Sequence, residues 1–273
     1  MTAKVCLVTG ASSGIGHATA LELLRAGHVV YGVARRLRRM DPIRAAGARA
    51  LAVDVTEEDD LRRAVDTVLE EQGRIDVLVN NAGIGLHGAI EDVPLDQARN
   101  QFEVNLFAPA RLVQLVLPRM REQRSGRIVN VSSIGGEIAL PLGAWYYASK
   151  HALEAYSDTL RQEVRPFGVD VVLIQPGIIR TEFEDGTARE LREISGRGAY
   201  REVAEAMAAR AETQLGAGSR ASDPSVVARA IVRAAGAHRV KPRYAVGYLA
   251  GTLLRLNRFL PDRAFDKLVT RAT

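Results

Sequence analysis

Three groups of residues in this 273-residue chain have the types and spacing to do chemistry. Thr9-Gly10-Ala11-Ser12-Ser13-Gly14-Ile15-Gly16 follows a short apolar run and opens a helical stretch. Glycines there let the backbone approach a pyrophosphate, and a helix N-terminus offers free N–H groups at its positive dipole end. The spacing Gly-x-x-x-Gly-x-Gly differs from the commoner Gly-x-Gly-x-x-Gly, so the loop alone also describes a tight strand–helix turn. Tyr146 and Lys150 stand four residues apart in a helical stretch and so share one face. A tyrosine with its ordinary pKa, about 10, is a poor base near neutrality, but a neighbouring ammonium stabilises the tyrosinate and lowers that pKa. Taken alone, such a pair also decorates ordinary helices. Arg35-Arg36 closes the second apolar run, where guanidinium groups can pair with a phosphate.

The elements that must position these residues follow from the apolar pattern. Residues 5–9, 28–34, 50–53, 75–80, 126–132 and 169–174 read as strands, and 15–26, 57–72, 96–122 and 145–166 as helices, with Pro109 and Pro118 as breaks in the third. This alternation predicts an α/β fold, a parallel sheet with helices on both faces. Residues 169–174 are almost continuously apolar, as in a strand buried on both sides. After Gly177 the chain turns polar and rich in Ala, Glu and Arg, with breaks at Gly186, Gly196 and Gly198. Residues 224–235 form a further helix with Ser222 or Asp223 as N-cap, 244–246 a last short strand, and 249–257 and 261–270 two tail helices. One domain over 1–273 is expected, with 181–218 as a helical lid over the sheet edge and 248–273 as a basic amphipathic tail.

Apolar residues make up 47% and charged residues 25%, the balance of an ordinary globular protein, which excludes a disordered chain, a collagen or a disulfide scaffold. The net charge is +5, yet the excess lies after Ser219, where eleven Lys and Arg face three acids. No basic stripe is interleaved with aromatics, so a nucleic-acid partner is not expected. The leucines and Phe259 of 249–260, set among arginines, suit an anionic membrane surface or packing on the domain or a neighbouring subunit, and packing is favoured. Cys6 is the single cysteine, sits in an apolar run and reads as a buried, inert thiol. A chain without disulfides, without about 18 consecutive apolar residues and without a signal sequence is expected in the cytoplasm. No metal site is expected.

Downstream of the glycine loop stand Asn80-Asn81-Ala82-Gly83, Asn105, Ser133 with Tyr146-Tyr147-Ala148-Ser149-Lys150 after twelve intervening residues, and Pro176-Gly177-Ile178-Ile179-Arg180-Thr181. Each motif is weak alone, but in this order, over about residues 4–247, they resemble the short-chain dehydrogenase/reductase family. The resemblance implies a Rossmann-type, doubly wound parallel sheet of about seven strands. It also implies an oxidoreductase that passes a hydride between a nicotinamide and a carbonyl or secondary alcohol. By the same resemblance Gly10, Ser12, Ser13, Gly14, Ile15 and Gly16 hold the pyrophosphate and adenosine ribose. Asp54, beside Val55, accepts from the adenine amino group, although a strand-end acid there also caps the next helix. Asn80, Asn81, Ala82 and Gly83 flank the adenosine and ribose. Pro176, Gly177, Ile179 and Thr181 receive the nicotinamide end.

The resemblance makes Tyr146 the general acid in reduction and the general base in oxidation. Lys150 tunes Tyr146 and grips the nicotinamide ribose, Ser133 donates to the substrate oxygen, and Asn105 holds a water linking Lys150 to solvent. Tyr147, three residues from Lys150, is out of register. Ala34 stands where NAD-preferring members carry Asp, and Arg35 where NADP-preferring members often carry Arg, so NADP(H) is favoured over NAD(H). Those members often have a second basic residue where this chain has Ser13, with Arg36 available as a substitute. Pocket walls are expected from residues 85–87, Ile134, Ile138, Leu140, Leu142, Trp145, Ile178 and the lid from Glu182, which suits an apolar ketone, steroid- or retinoid-like molecule or β-ketoacyl group. His87 either touches substrate or is merely exposed. A homodimer or homotetramer through the helices at 105–121 and 145–164 is implied. The competing readings are a catalytically silent dinucleotide-binding regulator, against which the intact Ser133, Tyr146, Lys150 and Asn105 argue, and a membrane-peripheral form of the reductase.

Overall fold

The computed structural model describes residues 2–215 and 219–271. Its apolar runs become seven parallel strands: β1 (Val5–Thr9), β2 (Val29–Ala34), β3 (Arg49–Ala52), β4 (Val77–Asn80), β5 (Gly126–Val131), β6 (Val169–Pro176) and β7 (Arg243–Val246). They lie in the order β3-β2-β1-β4-β5-β6-β7, each paired in parallel with its neighbours. The strand order reverses between β1 and β4. In open α/β sheets such a switch point leaves a crevice at the carboxyl ends of the strands.

Helices cover both faces because central parallel strands are apolar on both faces. Along β1, Cys6 and Val8 pack under α1 (Gly14–Arg25) and a late helix, Pro224–Gly236. Val5 and Leu7 face the other way, toward α3 (Glu58–Gln72), α5 (Ala108–Glu122) and α6 (Ala144–Val164). Each fully buried Leu, Val or Ile contributes about 1.5–3 kcal/mol, so the two layers fix the register of the sheet. Cys6 is fully enclosed, and burial pushes its thiol up to about 12, which keeps it unreactive. A short helix α2 (Asp41–Ala45), unforeseen from the sequence, brings Met40 and Ile43 onto the first layer.

The break in the third helical stretch is not at a proline. α4 (Leu95–Phe102) runs into a π-helical turn, Glu103–Phe107, and then into α5. Pro109 is the second residue of α5, just past that turn, and Pro118 lies inside α5. The wide turn instead sits around Asn105, which it buries.

After β6 come α7 (Glu182–Asp185), α8 (Thr187–Ser195) and α9 (Arg201–Leu215). Leu191 of α8 and Ala204 and Ala208 of α9 pack together over Ala89 and Leu142. The Ser195 hydroxyl accepts from the Ala89 amide at 2.9 Å and ties this helical pair to the loop after β4. Residues 216–218 of the expected lid and 272–273 of the tail lie outside the described residues. α10 (Pro224–Gly236) is capped by Asp223, whose carboxylate accepts from the Ser225 amide at 2.9 Å.

The tail folds back as α11 (Ala250–Phe259) and α12 (Asp262–Arg271). Its apolar face, with Phe265 and Val269 buried and Leu253, Leu254 and Leu256 partly so, packs on Ile134, Ile138 and Leu140. Of the alternatives weighed for this stretch, the structure has packing on its own domain. Phe265→Ala removes the main anchor of that contact. It is expected to cost about 3–5 kcal/mol in urea unfolding and to open residues 250–271 to limited proteolysis.

Candidate active site

The glycine loop connects β1 to α1 through backbone that side chains would obstruct. Gly10 has a φ of +67°, and a Cβ there would press on Asn81 Nδ2 at 2.8 Å. A Cβ at Gly16 would run into the Gly10 carbonyl. Ser13 precedes α1 in extended backbone without a side-chain cap, and no acid stands in the first turn. The positive end of α1 is therefore left open toward the crevice, the arrangement that receives an anion.

Thr9 closes the other side. Its Oγ1 accepts from the amides of both Asn81 and Ala82 at 2.9 Å, and Asn81 Nδ2 donates to the Thr9 carbonyl at 3.0 Å. One hydroxyl thus joins the end of β1 to the turn after β4, across the switch point. Thr9 was not singled out from sequence, although it begins the glycine motif. Asn80 departs from its expected place: it is buried and donates to Asn130 Oδ1 at 2.8 Å, while Asn81, Ala82 and Gly83 reach the crevice.

A cleft of about 420 Å³ runs along the carboxyl edge of the sheet. Of the residues singled out for cofactor or catalysis, Gly10, Ser12, Ser13, Gly14, Ile15, Arg35, Arg36, Asp54, Val55, Asn81, Ala82, Gly83, Ser133, Tyr146, Lys150, Pro176, Gly177, Ile179 and Thr181 all wall it. Gly16 and Asn105 stand behind the wall. At one end Asp54 Oδ1 accepts from the Thr56 amide and hydroxyl at 3.1 and 2.8 Å, while Oδ2 faces Arg35 at 3.9 Å. Arg36 reaches the Ser13 hydroxyl at 3.4 Å, so its guanidinium stands where the chain lacks a base. Glu182, at the start of α7, pairs with Arg39 at 2.6 Å and with Arg36 at 3.5 Å.

At the other end, Ser133 follows β5, and Tyr146 and Lys150 project from the first two turns of α6. Lys150 is only 6% exposed; its Nζ donates to the Val131 carbonyl at 3.0 Å and lies 5.9 Å from the Tyr146 ring centre. Burial carries the Lys150 pKa down to about 8, with Glu154 pulling the other way. Ser133 Oγ accepts from the Gly135 amide at 3.0 Å, which orients the oxygen and leaves its own O–H free to donate. The Tyr147 ring turns away from the cleft onto the backbone of Gly135 and Gly143. Asn105 spends its side chain on position: Oδ1 accepts from the Ile84 amide, and Nδ2 donates to the Ile84 carbonyl and to Ser149 Oγ, at 2.9 to 3.0 Å.

The expected apolar walls lie elsewhere. Ile134, Ile138 and Leu140 are turned toward the tail helices, Leu142 packs under α8 and α9, and Trp145 packs with Leu86, Val93, Ala98 and Ile194. Apolar character foretold that these residues are buried, not which layer buries them. Ile84, Val104 and Phe183 are among the apolar residues that line the cleft. The Phe183 ring is 5.7 Å from that of Tyr146. His87 is not an exposed loop residue. Its side chain is 12% exposed, 6.0 Å from the Tyr146 ring and 3.5 Å from the Glu190 carboxylate.

A parallel sheet with this crossover, an open helix end beyond a glycine loop, and a serine, tyrosine and buried lysine in the same cleft define a dinucleotide-dependent oxidoreductase. A family model for the short chain dehydrogenases matches residues 4–191. A 3-ketodihydrosphingosine reductase of Bacteroides thetaiotaomicron is 44% identical over 197 residues, 72% of this chain and 71% of its own. A solved short-chain dehydrogenase of Streptomyces avermitilis is 36% identical, covers 99% of each chain and superposes with a TM-score of 0.82. Two further solved relatives differ in cofactor. A metagenomic oxidoreductase in complex with NADP is 28% identical over 88% of this chain and 95% of its own, with a TM-score of 0.69. A Burkholderia phymatum dehydrogenase/reductase in complex with NAD is 26% identical over 94% and 92%, with a TM-score of 0.78.

The chain belongs to the short-chain dehydrogenase family, as an oxidoreductase acting on carbonyl or CH–OH groups with NAD or NADP.

The Thr9 contacts generate a test. Thr9→Val leaves two amide donors without their acceptor. It is expected to lower stability by about 1–3 kcal/mol and to weaken dinucleotide binding about tenfold or more in a fluorescence titration, while Thr9→Ser retains both.

Proposed function

We propose that the protein is an NADP(H)-dependent reductase of ketones on mainly apolar, long-chain molecules. The observation that carries this reading is the meeting of Ser133, Tyr146 and the buried Lys150 in one cleft with the open end of α1. The cleft fits a dinucleotide: the cradle that a Cβ at Gly10 would obstruct suits a pyrophosphate, and the cavity continues from there to Tyr146. When bound, the nicotinamide supplies the hydride in reduction and accepts it in oxidation.

The chain's own residues do the rest. Ser133, held by the Gly135 amide, donates to the carbonyl oxygen and fixes its place. Tyr146 gives the proton that this oxygen takes up in reduction, or removes it in oxidation. The Lys150 ammonium, kept from water and held by Val131, lowers the cost of charge on the tyrosine oxygen and reaches the ribose beside it. Asn105 fixes Ile84 against Ser149, and its part in the reaction is to hold the water that links Lys150 to solvent. Gly10, Ser12, Ser13, Gly14, Ile15 and Gly16 hold the pyrophosphate and ribose, Asp54 and Val55 with Asn81, Ala82 and Gly83 the adenosine side, and Pro176, Gly177, Ile179 and Thr181 the nicotinamide.

The preference for NADP(H) is supported by two features of the adenosine end. β2 ends at Ala34 without a carboxylate, and both Arg35, facing Asp54, and Arg36, beside Ser12 and Ser13, line the cleft. The substrate class is supported by the apolar Phe183 ring, 5.7 Å from that of Tyr146, and by the keto-lipid substrate in the name of the Bacteroides relative. The helices α7 to α9 serve as the lid over it.

Tyr146→Phe is expected to cut turnover of ketones by about a thousandfold or more while NADPH binding, read by fluorescence, is unchanged. Normal turnover in that variant overturns the assignment. Replacing Arg35 and Arg36 together by Ala is expected to raise the NADPH KM about tenfold or more with little change for NADH. A carbonyl panel graded from polar to long-chain apolar, run with both cofactors, decides the substrate class.

A further inference from the structure

Behind the cleft lies a second buried charge that the proposed chemistry does not use. Tyr146, Lys150, Glu154 and Asp158 recur every fourth residue and form one stripe along α6. Glu154 is 5% exposed. Its carboxylate accepts from Arg243 Nε on β7 at 2.9 Å and from Gln175 Nε2 on β6 at 3.1 Å. Arg243 continues to Asp158 at 2.6 Å and stands 3.8 Å from Glu137, in the turn after β5. Gln175 also donates to Glu137, at 2.5 Å. An ion pair stapling β7 to α6 needs only Asp158, at the half-exposed end of the stripe. The inner partner is harder to explain, because a carboxylate buried this deeply carries a desolvation cost that a surface pair avoids. What Glu154 has that Asp158 lacks is its position one turn from Lys150. Among the described residues no carboxylate makes a direct ion pair with Lys150, and Glu154 is the acid whose field reaches it through the interior.

We infer that Glu154 is a positioning residue for the reaction: held by Arg243 and Gln175, its buried carboxylate supplies the negative charge that keeps the Lys150 side chain an ammonium. The inference rests on the roles proposed above for Tyr146 and Lys150. Burial alone drives Lys150 toward the neutral amine, and the nearby carboxylate opposes this. Burial likewise raises the pKa of Glu154, and Arg243 counters that rise. The charged groups facing Glu154 are therefore Arg243 from β7 and Lys150 and Asp158 from its own helix, with Glu137 beyond Arg243. Arg243 keeps Glu154 ionised but also offsets part of its field at Lys150.

That double role gives two variants opposite signs. The Tyr146–Lys150 pair titrates as a unit, so its alkaline limb moves with the charge around it, whichever group loses its proton first. Glu154→Gln removes a negative charge. The alkaline limb of kcat/KM for NADPH-dependent ketone reduction is expected to move to lower pH by roughly one unit. Arg243→Gln removes a positive charge and leaves the carboxylate, so the limb moves to higher pH. Both substitutions remove the Arg243–Glu154 ion pair between α6 and β7, and both are expected to lower Tm. The experiment is the kcat/KM profile from about pH 6 to about pH 10 for the full-length enzyme and both variants, with Tm measured alongside. Limbs displaced in opposite directions bear the inference out. An unmoved limb in both variants, or displacement in one shared direction, overturns it and leaves Glu154 a structural staple. If Glu154→Gln does not fold, Arg243→Gln decides alone: a limb that stays or falls overturns the inference. Failure of the underlying reading shows elsewhere, as retained turnover in Tyr146→Phe.

Discussion

An ammonium at 6% exposure has lost most of its water, and an unpaired charge in a protein interior costs several kcal/mol even after relaxation. Much of the carboxyl edge of the sheet is arranged around that constraint at Lys150. β5 ends at Val131 with a carbonyl aimed at Nζ. The turn after β4 comes so close that a Cβ at Gly83 would lie 3.7 Å from Nζ and 3.3 Å from Asn105 Oδ1. Asn105 then holds the next residue, Ile84, through both its amide and its carbonyl. Three elements distant in sequence thus meet around a single charge. The same burial that makes the lysine expensive makes it effective, since a charge in a low dielectric acts on a neighbouring tyrosine more strongly than one in water.

The opposite end of the cleft relies on weaker, exposed charges. The open N-terminus of α1 supplies fixed dipoles, while Arg35 is 73% exposed in its side chain and meets Asp54 only at 3.9 Å. Exposed ion pairs of this kind contribute about 0–1 kcal/mol, and the pairing of Glu182 with Arg39 and Arg36 belongs with them. Such contacts do not lock guanidinium groups away from a doubly charged phosphate, which offers bidentate geometry. The molecule therefore has a rigid chemical end built on buried polar contacts and an adaptable anion end built on mobile side chains. A difference of cofactor between otherwise similar relatives, one with NADP and one with NAD, falls on the adaptable end.

How much of this could be read from the chain depended on the range of the interaction. The strands were legible because burial on both faces leaves unbroken apolar runs, and their ends moved by only a residue or two. The glycine loop and the Tyr146–Lys150 pair were legible because each is a local pattern. The break near Asn105 was misplaced onto prolines, since a π-helical turn has no compositional mark while Pro109 and Pro118 have a conspicuous one. Thr9, Glu154 and Arg243 were silent because their meaning lies in partners 72 to 89 residues away. Ile138 and Trp145 were read as substrate walls for a related reason. Apolar residues announce burial, but the neighbour that buries them, here the tail for Ile138 and Ile194 of α8 for Trp145, is set by the fold.

The basic C-terminal segment shows the same distinction in charge. Its excess first suggests a polyanionic partner, yet it contains two populations with different physics. Arg243 turns partly inward, where the buried Glu154 and the half-exposed Asp158 hold it at 2.9 and 2.6 Å. Arg255, Arg258, Arg263 and Lys267 stay in solvent around α11 and α12, where fields fade within about 8 Å at physiological salt. The inner faces of those helices are already committed to Ile134, Ile138 and Leu140. Net charge counts both populations alike, but the inward arginine is joined to the interior, through a carboxylate one helical turn from Lys150.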